Sequence, residues 1–146
     1  MASTLQTVIS SRLRRATKHS LATLDFVPED KLDFKPSETA KSCRELAQHI
    51  VQGNCLCLQT AGQPTNANPE EQDLAKLKDM ISATGEQLVA YAESLDENAM
   101  AGTVDFFGNP FPMPAFLLTA EWHMSRHAAQ IDYVQTAWGD LDDHMH

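Results

Sequence analysis

Apolar residues recur along most of this chain at spacings of three and four, the pattern of amphipathic helices turning one face to a shared core. The first series runs Leu5, Ile9, Leu13, Ala16, Ser20 and Leu24, with the arginines mostly off that face, and predicts a helix to about residue 24. Asp25 to Lys41 contains Pro28, Pro36 and a cluster of charges, so it reads as a long connection with a short turn at Pro28 to Leu32. Ser42-Cys43-Arg44-Glu45 then matches a capping box, in which the serine oxygen accepts the third backbone N–H and the glutamate returns to the serine N–H. A second helix therefore starts at Ser42, carries Leu46, His49, Ile50, Gly53 and Cys57 on one face, and ends near Thr60 ahead of Gly62 and Pro64.

Asn68 as N-cap with Pro69 at the first helical position predicts the start of a third helix. Its face of Leu74, Leu77, Ile81, Thr84, Leu88, Tyr91 and Leu95 is the clearest bundle seam in the chain. Gly102 to Pro114 holds Val104, Phe106, Phe107, a Gly108-Asn109 turn, Phe111 and three prolines, which predicts a non-helical segment with a short β-like excursion. A fourth helix follows Pro114 and runs to about Trp138, stopped by Gly139. Its inward face is Leu117, Ala120, His123, Met124, His127, Ile131, Val134 and Trp138. The expected architecture is all-α, a four-helix bundle forming a single domain over residues 1–146, with no internal repeat.

Charge narrows the partners. Eleven basic and twenty acidic residues give a net charge of −9, which repels phosphate backbones and leaves no electrostatic basis for binding nucleic acid. No apolar run approaches the roughly 18 residues of a membrane span. Three cysteines, Cys43, Cys55 and Cys57, are an odd count that fits a reducing, cytoplasmic compartment better than a disulfide framework. The first 24 residues hold Arg12, Arg14, Arg15 and Lys18 and no acid, a pattern shared with mitochondrial transit peptides; a bundle needs the same segment as its first helix, and that is the expectation.

The chemistry lies in the histidines. His123 and His127 are four apart, so on a helix they stack on one face, and His49 occupies the apolar face of another helix. An unpartnered polar group is costly there. A single buried histidine is ordinarily satisfied by a carbonyl or carboxylate, but three on apolar faces point to a divalent metal held by His49, His123 and His127, and zinc, nickel and ferrous iron all accept imidazole. Other bundle sites fail on spacing: Glu45 precedes His49 by four and Glu121 precedes His123 by two, against the three of di-iron proteins, and Met124 replaces the glutamate of the metalloprotease pattern. The cysteines read as plain small residues, His144 and His146 as a solvated acidic tail, and His19 as a boundary residue of the first helix that could support a site or line a pocket. Gly53, four after His49, leaves room beside a ligand, or simply allows close helix packing.

Leu32-Asp33-Phe34-Lys35-Pro36-Ser37, then Ser42-Cys43-Arg44-Glu45-Leu46-Ala47-Gln48-His49-Ile50, then His123, His127 and Ala128-Ala129-Gln130-Ile131 resemble, in order and spacing, the DinB/YfiT-like family of metal-binding four-helix bundles. The family's glycine before Gln130 is Ala129 here. The resemblance implies an up-down-down-up bundle, nickel or zinc on the three histidines, frequent homodimers and, in some relatives, thiol transfer with low-molecular-weight thiols. Three readings follow. The first is a metal-dependent enzyme, a thiol S-transferase or hydrolase acting on small electrophilic molecules in a pocket lined partly by Phe106, Phe107 and Phe111. The second is a non-catalytic stress or sensor bundle with a structural metal. The third is an interaction bundle with no metal. No residue declares itself catalytic.

Overall fold

The structure, a computed structural model, describes residues 1–145, so His146 lies outside the described residues. Four long helices carry the fold: α1 (Thr4–Asp25), α2 (Cys43–Thr60), α3 (Leu74–Ser94) and α5 (Met113–Gln135). A single-turn α4 (Glu97–Met100) and the strands β1 (Thr103–Phe106) and β2 (Asn109–Pro112) lie between α3 and α5.

Three of the four long helices, α1, α2 and α3, start where a side chain takes an orphan N–H group of the first turn, whereas α5 follows Pro112 with no side-chain cap. Ser3 caps α1 by accepting from Gln6 N, and the Ser42–Glu45 box of α2 is complete in both directions, at 3.2 and 2.8 Å. The start of α3 differs from the sequence expectation. Asn68 Oδ1 accepts from Glu70 N at 3.0 Å in a local turn, and the cap falls to Asp73, which accepts from Lys76 N at 2.9 Å. An asparagine side chain serves a turn as readily as a helix, and the chain used it for the turn. In α5 the helix begins at Met113, with Pro114 in the first turn. It tightens into a 3-10 turn over Thr136–Trp138 and stops at Gly139 in the left-handed region, φ 87°. Trp138 therefore leaves the inward stripe, half-buried, and meets the Phe34 ring edge-on at 5.9 Å.

Helix directions follow from which ends touch. Gln6, at the start of α1, donates from Nε2 to the carbonyls of Ala92, Glu93 and Leu95 at the end of α3, so these two are antiparallel. Arg12 pairs with Glu121 and Thr23 with Asp132, so α1 and α5 are parallel. Gln48 reaches Glu71 just before α3, and Asn54 reaches Thr84, so α2 and α3 run together. The result is the up-down-down-up order, with α1 and α2 each packed on both α3 and α5. Ile9, Leu13, Ile50, Leu58, Leu77, Ile81, Leu88, Leu117, Met124 and Ile131 are fully buried between them. Residues 4–25 are thus an integral layer of the core.

β1 and β2 form an antiparallel hairpin with Val104 opposite Phe111 and Phe106 opposite Asn109. The turn residues are Phe107 (φ 53°) and Gly108 (φ 76°), one position earlier than the sequence suggested. Two positive φ values in a two-residue loop match the twist of the flanking strands. No helix among the described residues is long and apolar enough to cross a membrane.

Candidate metal centre

α2 and α5 bring His49, His123 and His127 together, with one ring nitrogen from each lying within 4.8 Å of the others. The antiparallel pairing of the helices makes this possible: His49 packs edge-on against His127, ring centroids 4.6 Å apart, while His123 lies 4.5 Å from His127 and 4.9 Å from His49. Only His127 is buried; His49 and His123 are half-buried at the seam between the two helices. The apolar stripe of α5 therefore placed one histidine in the core and the other at its margin.

Two of the rings are oriented by glutamines three residues further along the same helix. His127 Nδ1 donates to Gln130 Oε1 at 2.6 Å, and His49 Nδ1 donates to Gln52 Oε1 at 3.1 Å. An amide oxygen only accepts, so each contact puts the ring proton on Nδ1 and frees the Nε2 lone pair. The third ring is held sterically. His123 Nδ1 is buried with no hydrogen-bond partner, and its ring lies where a Cβ on residue 53 would stand. Glycine at 53 is thus a cradle for the His123 ring.

Burial pushes the His123 imidazolium down to about 4, helped by repulsion from His127, His49 and Arg126. Burial also lowers His127, against the hydrogen bond to Gln130, with His49, Arg126 and Lys41 adding repulsion. Both rings are neutral at neutral pH, the state in which imidazole donates a lone pair to a metal.

His49 Nε2 and His123 Nε2 stand 3.3 Å apart. Two imidazole nitrogens bound at about 2.1 Å on one tetrahedral ion are separated by about 3.4 Å. The donor set, the spacing and the glycine cradle are those of a group that could hold a metal ion.

A cavity of about 530 Å³ opens beside His49 and His123, bounded by Leu56, Pro69, Phe106, Phe107 and Thr119. Phe111 is not part of that wall; it packs against Phe106 from behind, ring centroids 5.8 Å apart. Phe107 is 75% exposed and left-handed, a conformation that costs a non-glycine residue about 1 kcal/mol or more.

The remaining candidates lie elsewhere. His19 is half-buried on α1 and takes the Arg15 Nε at 3.5 Å. Cys43 and Cys57 are buried, and burial raises their thiols to about 12 and about 11, so neither is a thiolate at neutral pH. His144 overturns the solvated-tail reading. It is buried, stacks on Phe26 at 3.9 Å and bonds Asp140 Oδ2 at 2.8 Å, because the chain after Gly139 folds back over the ends of α1 and α5. Sequence reasoning missed Gln52 and Gln130, although the same His-x-x-Gln spacing occurs in both helices, and it missed Phe107 as the hairpin tip.

An up-down-down-up bundle with three imidazoles gathered between two helices defines the class of protein. The chain matches the DinB superfamily over residues 12–131 and belongs to it. Its fold is similar to that of a DinB-like protein from Bacillus cereus, with TM-score 0.75 and 19% identity over 86% of this chain and 87% of that one. A DinB-like protein from Bacillus subtilis gives 0.71 and 20% over 92% and 94%. A conserved protein from Enterococcus faecalis gives 0.73 and 16% over 92% and 96%. At these identities the likeness is one of fold. Comparison with functionally curated proteins gives no match.

Proposed function

We propose that this chain is a divalent-metal-dependent enzyme of the thiol S-transferase or hydrolase type, acting on small electrophilic molecules, with His49, His123 and His127 as ligands to zinc or nickel. The observation that carries this reading is the convergence of three imidazoles, two of which, His49 and His123, line a cavity. His49 and His127 are oriented by Gln52 and Gln130, and His123 is wedged against Gly53, so the chain holds its donors ready without rearrangement. Phe106 and Leu56 remove water from the space in front of them. No carboxylate among the described residues lines the cavity, so depressing the pKa of a thiol or water is the chemistry a divalent ion would supply there.

Elemental analysis of the purified protein, followed by thiol-dependent turnover against a panel of electrophiles, tests the proposal. His123→Ala should lose stoichiometric metal and turnover together while keeping its helical circular dichroism. A metal-free wild type, or turnover untouched in the variant, would sink it. The second reading is a structural metal, favoured by the fact that the histidines bridge α2 and α5. It requires that chelation lower the melting temperature sharply and that no electrophile turn over.

A further inference from the structure

We propose that the cavity between α2 and the β-hairpin is the binding site for an uncharged aromatic substrate, with Phe107 as the residue that clasps it. This rests on the reading above that the three histidines form the reactive centre.

The wall of this cavity is selective in what it lacks. Among the described residues no Asp, Glu, Lys or Arg contributes to it, although 21% of the chain is charged. Two larger grooves show the contrast, with Lys76 and Asp79 in one and Arg14 and Glu93 in the other, while a smaller groove at Gly62 to Thr65 also lacks charge but has no aromatic ring. Apart from the ion the histidines would hold, an ionic ligand entering the cavity would give up hydration and find no opposite charge among the side chains, which is strongly unfavourable. A neutral one meets no such barrier. The volume, about 530 Å³, is in the range that takes a small organic molecule.

The aromatic character comes from a run of rings leading outward from the core. Phe116 is fully buried and meets Phe106 at 5.4 Å; Phe106 in turn meets Phe107 at 4.5 Å. The run ends at Phe107, 75% exposed on the rim. A planar ligand inserted beside it continues the series of tilted and edge-on contacts that aromatic rings favour. The backbone of the turn does not require phenylalanine at this position, and within the hairpin the ring meets Phe106. The turn needs positive φ at two successive residues, which asparagine followed by glycine supplies with less strain. Asp105 Oδ1 already accepts Gly108 N at 2.8 Å, and Asn109 Nδ2 bonds the Phe107 carbonyl at 3.2 Å, so the backbone of the turn is secured without the ring. A strained, exposed aromatic side chain at the mouth of a cavity that reaches two of the grouped histidines is accounted for by what it touches when a ligand is present.

The test uses three probes of one shape and different charge: 1-naphthalenemethanol, 1-naphthoate and 1-naphthylmethylammonium. Binding to the full chain is followed by naphthyl fluorescence, both zinc-loaded and after chelation, with metal content measured on the same samples. In the chelated protein the alcohol should bind about tenfold or more tighter than either ion. Phe107→Asn should weaken the alcohol about tenfold while raising the melting temperature, since it relieves the turn. Leu56→Lys should shift the preference toward 1-naphthoate. Equal binding of the three probes, or affinity unmoved by Phe107→Asn and Leu56→Lys in variants with normal circular dichroism, would overturn the proposal. So would a Phe107-dependent dimer in sedimentation that excludes the alcohol, because the ring would then serve a second copy. Charge-selective binding in a protein that takes up no metal would leave the cavity standing and remove the reactive centre. One metal per chain with no selectivity among the probes would do the reverse.

Discussion

Gly53 and His123 are matched across the α2–α5 seam: a Cβ on residue 53 would stand closer than 3.0 Å to both Cε1 and Nδ1 of the His123 ring. The ring of His123 has no hydrogen bond at Nδ1 to hold it. Its position is therefore set by the shape of α2, and the absent side chain at 53 is part of the site.

Gly53→Ala separates that role from folding. Alanine is the better helix former by about 1 kcal/mol, so helicity should be kept or improved. The His123 ring, however, must rotate out of line, and zinc or nickel affinity should fall roughly 10- to 100-fold, the scale seen when a ligand loses its support. Titration calorimetry with the metal alone, beside circular dichroism, reads both effects. Unchanged affinity would mean that the ring has another resting place.

How far the sequence disclosed this arrangement depends on the range of the forces involved. The Ser42–Glu45 box and the seams from Ile9 to Leu24 and from Leu77 to Leu88 depend on neighbours three or four residues away and appear in the structure as the pattern predicts. Leu5, however, is exposed, and Gln6 is buried beside it, its amide bound to the end of α3. The gathering of His49 with His123 and His127 was legible because each histidine interrupts an apolar face. The start of α3 was misplaced because Asn68 and Asp73 are both competent caps, and the choice between them rests on how the segment before the helix packs, including the Gln48 contact to Glu71. His144 was misread because nothing in an acidic tail announces that it will meet Phe26, a partner 118 residues away. Phe107 was hidden by its own strangeness, since the turn rule favours asparagine and glycine and so pointed one residue too late.

The glutamines should prove unequal. Gln130 accepts from the buried His127 at 2.6 Å, whereas Gln52 accepts from the half-buried His49 at 3.1 Å where water can replace it. Gln130→Ala should therefore weaken zinc binding about tenfold or more, and Gln52→Ala distinctly less. Chelator competition gives the affinities, and imidazole nitrogen NMR shows whether the proton of His127 leaves Nδ1. Equal losses from the two variants would show that burial does not set the value of this support.

Stability at the entry to α2 should be sensitive to both halves of its cap. Ser42→Ala removes the acceptor for Glu45 N and should cost about 1 kcal/mol in urea unfolding. The Glu45 carboxyl is held below its ordinary value, first by the Ser42 N–H and then by Lys35. A depressed carboxyl stabilises the fold above its unfolded value, about 4.3, and that contribution is lost as pH falls through the lower folded value. Glu45→Ala should accordingly reduce stability at neutral pH and flatten the acid limb of the stability curve. An acid limb of unchanged slope would assign the acid response to other carboxylates.

The fold-back of the chain end offers a test that the solvated-tail reading and the observed geometry answer differently. His144 lies flat on Phe26, ring centroids 3.9 Å apart with 13° between planes, and its backbone N–H donates to Asp132 Oδ1, which also accepts from Thr23 on α1. Three segments, the end of α1, the end of α5 and the chain after Gly139, are thereby tied at one point. His144→Ala removes the ring and should cost about 1 kcal/mol, with faster hydrogen exchange confined to the last turns of α1 and α5 and no change in metal affinity at the other face of the bundle. The Asp140 carboxyl, held low chiefly by its hydrogen bond to His144, adds a pH signature. Its contribution is present above the ordinary aspartate range and is lost as pH falls through the depressed value, so the stability difference between wild type and His144→Ala should narrow in acid. A variant as stable as wild type at neutral pH would return the tail to solvent.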